Sequence, residues 1–387
     1  MGYDNDLSFE YNNPTKIIFG ENCTRDIRLE IEGLGCSKAL IVTDKGVVEA
    51  GLTGQVEEIL GDSCVGIFDR IVQDSDFAVV NEGAAYAVEK GADILVSVGG
   101  GSVIDTAKGM AIVMKEGGEL KDYAGMQVLS RPQIPHVVVP TTAGTGSEVT
   151  WAAVIKNREL NTKELFCSYY IIPNIAFIDP TMTAKLPPQL TASTGMDAFT
   201  HAVEAIHALQ SQPITDAMAL HAISLSTEFL PRCVEQGDDL VARGQQQLAA
   251  VMAGIAFGNA QLGLVHAMAH SVGALFEVPH GIANSIILPH VMLFNLEECA
   301  DRYALIAEAM GINTSGLSDM EAGKAAAEAV AALTKKVGLP QTLSEVDVPE
   351  EGLTEAAELS LSDGSIVYNP RMIMDADEVL EVYRAAF

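Results

Sequence analysis

Four short runs in the first half of the chain, Ala39–Thr43, Val65–Phe68, Ile94–Val98 and His136–Pro140, are rich in branched apolar residues and closed by Gly, Asp or Pro. Runs of that kind read as strands buried on both faces, and helical patterns such as Phe77–Lys90 and Val103–Lys115 stand between them. Strands alternating with helices fold as a parallel sheet, because parallel strands need long crossovers and those crossovers cover both faces. Ala176–Asp179 adds a further strand, closed by Pro180, and Leu186-Pro187-Pro188 breaks the chain after it. From Gln189 to Phe387 the chain is rich in Ala, Leu, Met and Glu at helical spacing, with almost no strand-like run. The expectation is an α/β domain with a parallel, Rossmann-like sheet over 1–187 and an all-helical domain over 188–387. A chain of 387 residues is long enough for two cores.

Charge narrows the partners. Asp and Glu outnumber Lys and Arg 52 to 23, for a formal net charge of −29. Such a surface repels nucleic acid and anionic lipid, which points to a small-molecule partner. The six cysteines are scattered without a C-x-x-C pair, as expected of reduced thiols in the cytoplasm. The first residues are acidic, unlike a secretory signal, and no stretch approaches the roughly 20 apolar residues of a spanning helix. A soluble cytoplasmic protein is expected.

Val96-Ser-Val-Gly-Gly-Gly-Ser102 joins a buried strand to a helix through three glycines. Glycines there let a backbone approach a pyrophosphate, and a helix N-terminus offers free N–H groups and a positive dipole end. The usual G-x-G-x-x-G fingerprint is not met, since Ile104 stands at its third glycine. A second loop, Pro140-Thr-Thr-Ala-Gly-Thr-Gly-Ser147, comes after another strand and adds hydroxyl and backbone donors. Two such loops at strand carboxyl ends suggest one crevice for a phosphate-bearing ligand. Asp44 ends a third strand, where a carboxylate accepts from adenosine ribose hydroxyls and repels a 2′-phosphate; the plainer role is a turn residue before Gly46.

Seven of the eight histidines lie between His201 and His290. Asp197 and His201 are four apart in a helical stretch, so both face one side, and His266 and His270 repeat the spacing. His280 comes next in Val278-Pro-His-Gly281, which reads as a loop. One carboxylate and three imidazoles drawn from these residues make a mixed N/O set suited to Fe(II) or Zn(II), and poor for Mg(II) or Ca(II). His207, His221 and His290 read as ordinary residues, and His136 sits in a strand far from the cluster.

With these motifs assembled, the chain resembles the iron-containing (group III) alcohol dehydrogenases. The matching runs are Pro14–Cys23, Gly99–Gly109, Pro140–Thr150, Gly195–Ala205, Gly263–Gly273 and Pro279–Pro289, in order across nearly the whole length. The resemblance implies the dehydroquinate synthase-like superfold, with an N-terminal α/β domain, a C-terminal helical domain and a cleft between them. It implies that Asp197, His201, His266 and His280 bind one divalent metal, Fe(II) or alternatively Zn(II), and that His270 beside it assists proton transfer or substrate orientation. Gly99, Gly100, Gly101, Ser102, Thr141, Thr142 and Thr145 then line the cofactor site, Lys163 touches the cofactor, and Asp44 favours NAD over NADP. Three features depart from the family pattern: Ile71–Asp76 replaces a Pro-Asn-Pro segment, Ser365 stands where a cysteine is common, and Trp151 occupies a pocket position usually held by smaller side chains. Phe257 matches another position in the substrate pocket.

The implied activity is hydride transfer between NAD and a small primary or secondary alcohol, or the matching aldehyde or ketone, in a homodimer or larger homo-oligomer. A metal acting as Lewis acid would ease loss of the alcohol proton, and the cofactor would carry the hydride. His270 would shuttle the proton. The alternatives are a hydroxyacid–oxoacid transhydrogenase, which keeps its NAD bound, and a glycerol dehydrogenase-like or dehydroquinate synthase-like enzyme of the same superfold. A metal protein without redox chemistry would leave the glycine and threonine loops unexplained.

Overall fold

The computed structural model describes residues 7–73, 75–158 and 162–387, which form two compact units. The first comprises Pro14–Thr191 and Glu235–Val251. Its strands are β1 (Lys16–Phe19), β2 (Ala39–Asp44), β3 (Cys64–Ile71), β4 (Ile94–Gly99), β5 (Gly125–Met126), β6 (His136–Pro140), β7 (Ala152–Asn157), β8 (Thr162–Cys167) and β9 (Ile175–Ile178). Six of them make an all-parallel sheet in the order β1-β9-β6-β4-β2-β3. Helices α1 (Ile27–Gly33), α2 (Lys45–Glu49), α3 (Leu52–Leu60), α4 (Phe77–Lys90) and α5 (Gly101–Glu116) connect successive strands. One core, with Leu40, Val42 and Leu95 of the sheet, packs against α4 and α5. The other, with Ala39, Ile41, Val96 and Val98, packs against α1 and α3. Alternate residues of one strand feeding opposite cores explains why these strands read as continuous apolar runs. The second, smaller sheet is β5-β8-β7, with β7 and β8 antiparallel.

The second unit takes Ala192–Val234 and Met252–Phe387, with the segment up to Asn13. From Pro188 onward regular structure is helical throughout the described residues: α6 (Pro188–His207), α7 (Pro213–Glu235), α8 (Leu240–Ala260), α9 (Leu264–Phe276), α10 (His280–Ala309), α11 (Asp319–Lys336), α12 (Leu353–Ser360) and α13 (Ala376–Ala385), with short 3-10 turns. Residues 235–251 group with the sheet-bearing unit for a visible reason. Arg243 donates to Thr191 Oγ1 at 2.8 Å and to the Leu186 carbonyl at 3.2 Å, while Gln247 donates to the Asp179 carbonyl at 3.3 Å. No single helix among the described residues is long and apolar enough to cross a membrane.

Candidate functional site

Helix α6 is buried along much of its length and carries Asp197 and His201 one turn apart on a common face. His266 lies in the first turn of α9. His280 is not a loop residue, as the Pro-His-Gly sequence suggests; it is the first residue of α10, with Pro279 as N-cap. Gly281 serves close approach, not turning. A Cβ there would lie 2.8 Å from the Ser193 carbonyl carbon and 3.4 Å from Asp197 Cβ, so α10 meets α6 backbone to backbone.

The approach brings one ligand atom from each of Asp197, His201, His266 and His280 within 4.8 Å of one another. Asp197 Oδ1 stands 3.9 Å from His201 Nε2, 3.9 Å from His266 Nε2 and 3.4 Å from His280 Nε2. Donors about 2.1 Å from a four-coordinate cation stand about 3.4 Å apart, so the spacing suits a cation of Zn(II) or Fe(II) size. The Asn284 amide Nδ2, fully buried, lies 2.8 Å from Asp197 Oδ1, 3.1 Å from His280 Nε2 and 3.3 Å from His266 Nε2. A carboxylate oxygen and two ring nitrogens thus meet around one buried amide, in one small volume.

Two carboxylates absent from the sequence reading orient the rings. Glu204 is fully buried on α6; it accepts the Val265 backbone N–H at 2.8 Å and makes a short hydrogen bond with His266 Nδ1. Burial pushes Glu204 up to about 7, offset by the charge of His207 and the Val265 amide. Burial also holds His266 well below its ordinary range, with His201 and His270 adding to the effect, so the ring is neutral with Nε2 free to bind. Glu204 lies seven residues after Asp197 and three after His201, on the same helical face, and that periodicity is the signal that would have found it.

His270, expected beside the ligands, stacks on His280 with ring centroids 5.2 Å apart and meets His266 edge-on at 5.9 Å. Its Nδ1 is 2.7 Å from Asp363 Oδ2. Burial raises Asp363, but the hydrogen bond and charge of His270 outweigh it and hold the carboxyl well below its usual range. Ser365 also donates its backbone N–H to Asp363, at 2.8 Å. Phe257 stacks on His201 with centroids 4.3 Å apart. His207, read as ordinary, is buried beside Glu204 and bonded through Nδ1 to Tyr303 at 2.9 Å; burial depresses it to about 4.

In the sheet-bearing unit, Asp44, Gly99 and Pro140 end the adjacent strands β2, β4 and β6. The chain leaves β2 toward β3 on one side and reaches β4 and β6 on the other, so Asp44 and Gly99 flank the point where strand order reverses. The two glycine and threonine loops lie side by side. Thr141 donates its N–H to the Gly99 carbonyl at 3.1 Å, a Cβ on Gly100 would sit 3.1 Å from Thr142 Cγ2, and one on Gly101 2.6 Å from Thr145 Cγ2. Gly100 caps α5, and Ser102 lies in that helix's first turn. Asp44 is the N-cap of α2, accepting from Val47 N at 2.9 Å, so the plainer role expected of it is present. Lys163 is exposed on β8; burial raises Asp105, and the charge of Lys163 is the smallest of the effects that oppose that rise. Trp151 packs on Tyr169 with centroids 5.6 Å apart.

Beneath the loops lies a polar knot that sequence reasoning missed. Lys108, fully buried on α5, donates to Ser147 Oγ at 2.9 Å, to the Thr150 carbonyl at 2.9 Å and to the Ala152 carbonyl at 2.7 Å. Asp105, one turn earlier, accepts from Ser147 Oγ at 2.5 Å and from Val154 N at 3.0 Å. Helix α5 is thereby tied to the segment after the threonine loop. Burial lowers Lys108 to about 8, opposed by Asp105 and Glu148.

The chain is similar to known proteins over nearly its whole length. The family model for iron-containing alcohol dehydrogenase matches residues 14–180, and that for the C-terminal part of the Fe-containing alcohol dehydrogenase family matches residues 191–387. The chain is 41% identical over 384 residues to a 1,3-propanediol dehydrogenase of Citrobacter freundii, covering 98% of this chain and 99% of that protein. It is 38% identical over 372 residues to an NAD-dependent methanol dehydrogenase of Bacillus methanolicus, covering 95% and 98%. A crystal structure of 1,3-propanediol oxidoreductase superposes with a TM-score of 0.95 at 40% identity, covering 98% of this chain and all of that one.

Proposed function

This chain belongs to the iron-containing alcohol dehydrogenase family, and we propose that Asp197, His201, His266 and His280 hold the divalent cation, Fe(II) or in its place Zn(II), at which it passes hydride between NAD and a small alcohol or aldehyde. It is an oxidoreductase acting on alcohols. The observation that carries the proposal is the meeting of the four ligand atoms within 4.8 Å of one another. A cation held there would supply Lewis-acid charge to an alcohol oxygen, and bound NAD would accept the hydride.

The chain's own residues do the rest. Asp363, held as a carboxylate, takes Nδ1–H of His270 and leaves Nε2 as the atom that exchanges a proton with a substrate hydroxyl. Gly99, Gly100, Gly101, Ser102, Thr141, Thr142 and Thr145 offer backbone and hydroxyl donors to a pyrophosphate, and Lys163 adds positive charge. Asp44 accepts from ribose hydroxyls and disfavours a 2′-phosphate. Phe257, stacked on a ligand histidine, and Trp151 are each assigned to substrate contact, and large aromatic side chains favour a substrate with an apolar portion over a polyol such as glycerol. Among the described residues no disulfide joins the six cysteines, which fits the cytoplasmic setting where we place the enzyme as a homodimer or larger homo-oligomer.

The test is an anaerobic panel of graded alcohols with NAD and Fe(II) or Zn(II), read by NADH absorbance, alongside metal analysis of His280→Ala. Alcohol-dependent NADH formation and loss of bound metal in the variant are expected. No NADH with any alcohol, or full metal content in His280→Ala, would overturn the reading. Trp151→Ala should admit bulkier alcohols, and an unchanged ranking would remove Trp151 from the pocket.

A further inference from the structure

We propose that Glu204 is the positioning residue of this site: by accepting two N–H groups from one helix end, it fixes which nitrogen of His266 faces the other three ligands. The inference rests on the reading of Asp197, His201, His266 and His280 as the cation's ligands.

Helix α9 begins at Leu264, so the N–H of Val265 is among the first-turn donors that have no partner within their own helix. Glu204 comes from a different helix, α6, and accepts that N–H through Oε1 at 2.8 Å. Its other oxygen, Oε2, is bonded to Nδ1 of His266, the next residue along. One carboxylate therefore caps α9 and grips its metal-facing ring, and the positive end of the helix favours negative charge at that place. The packing is built around it: a Cβ on Gly263 would lie 3.2 Å from Glu204 Oε1, 3.2 Å from Asn369 Oδ1 and 3.4 Å from His207 Nε2. A larger residue there would fit only if these side chains gave way by a few tenths of an ångström.

The consequence is a matter of counting protons. A neutral imidazole carries one N–H, and Glu204 in its ionised form, to which the tautomer argument applies, has no hydrogen to give. With Glu204 against Nδ1, the proton sits on Nδ1 and Nε2 keeps its lone pair, turned toward Asp197 Oδ1 3.9 Å away. Glutamine at 204 has the same shape but one acceptor and one donor. If its oxygen keeps the Val265 N–H, its amide hydrogens face Nδ1 and select the opposite tautomer, whose Nε2 carries a hydrogen and has no lone pair to offer. If its oxygen keeps His266, the Val265 N–H meets an N–H instead. Aspartate keeps both acceptors on a shorter arm.

The experiment is NMR of the histidine ring nitrogens in the metal-free, isotope-labelled full-length chain, with His266 assigned by its loss in His266→Asn, together with a Zn(II) competition titration. We expect the Nδ1–H tautomer in the unmutated protein and in Glu204→Asp, and the Nε2–H tautomer in Glu204→Gln. Zn(II) affinity should fall about 10–100-fold in Glu204→Gln and less in Glu204→Asp. Retention of the Nδ1–H tautomer and of near-native Zn(II) affinity in Glu204→Gln would overturn the proposal. Should that variant fail to fold, an Nε2–H tautomer in Glu204→Asp would overturn it equally. If the unmutated chain binds no Zn(II) at all, the ligand reading fails, while the tautomer measurement still decides the role of Glu204.

Discussion

Gly281→Ala is a single methyl group aimed at the joint between two ligand-bearing helices. The added Cβ would stand 2.8 Å from the Ser193 carbonyl carbon and nearer still to its oxygen. Carbon atoms in good contact are about 3.5 Å apart, so α6 and α10 must separate by about 0.7 Å or more. Both opposing atoms are backbone, so no rotamer change relieves the clash. Overpacking of this kind costs about 1–3 kcal/mol in ordinary cores, and a backbone contact belongs at the upper end. The larger consequence is for metal. Ligand distances tolerate about 0.2 Å, and moving His280 away from Asp197 by several times that distance removes one donor from the set. The assay is thermal unfolding with chelator and with excess Zn(II), paired with metal analysis after dialysis. In the unmutated protein, ligand at about 100 times its dissociation constant adds about 2.7 kcal/mol, and that gain should vanish in Gly281→Ala. Gly54→Ala in α3 is the control: nothing lies within 4 Å of its Cβ, so a small stabilisation is expected. A Gly281→Ala protein with full metal content and the same Zn(II)-dependent gain would refute the close-approach argument.

Three further outcomes are open to measurement. His136, buried in β6 and bonded to Ser97 at 2.7 Å, is depressed by burial to about 3, below its ordinary 6.5. Its unfolded form takes the proton first, so the stability it contributes is complete above about pH 6.5 and is lost as pH falls toward 3; His136→Gln should flatten urea-derived stability against pH by up to about 1.4 kcal/mol per unit in that window, and an unchanged slope would sink the idea. Asp44→Gly should raise use of NADP relative to NAD while costing only a few tenths of a kcal/mol as a cap, and equal efficiency with both cofactors before mutation would refute the role of its charge. His270→Gln and Asp363→Asn should each lower kcat by about 10- to 10⁴-fold with bound metal retained, whereas metal loss matching that of His266→Ala would make His270 a ligand.

The sheet was legible where strands are buried on both faces. Ile94–Gly99 and His136–Pro140 are buried at every residue and so advertise themselves as unbroken apolar runs. The four-residue edge strand β1 is exposed at both ends, and the β7–β8 pair carries Lys156, Lys163 and Glu164 on a half-exposed surface. The apolar residues of β1 and β7 number only three and four in a row beside charged or polar neighbours, so neither stands out as a strand. The same logic applies to the site. Spacing within one helix revealed Asp197 with His201 and His266 with His270, because four residues make one helical turn. Partners from other helices have no such signature: Glu204 is 62 residues from His266, Asp363 is 93 from His270, and Asn284 is 87 from Asp197. Repetition of the i,i+4 pattern also hides a difference, since both members of the first pair join the ligand cluster and only one of the second does.

That difference is the more instructive because His266 and His270 share so much. Each lies on α9, each has its Nδ1 on a carboxylate, and each therefore presents Nε2 outward. Water separates them. The His266 side chain is 2% exposed and its carboxylate 0%, whereas His270 and Asp363 are 29% and 21% exposed. A sealed imidazole cannot exchange a proton with solvent, and its neutral form is enforced by burial, which suits a permanent ligand. A ring open to water on one side and held by a carboxylate on the other suits the proton-shuttling role proposed for His270. On the proposed reading, the helix would assign two chemistries to one residue type by depth alone. Depth also limits any exchange of roles by engineering: opening the shell around His266 should weaken metal retention before it creates a second proton path, because a ligand that competes with water is lost first.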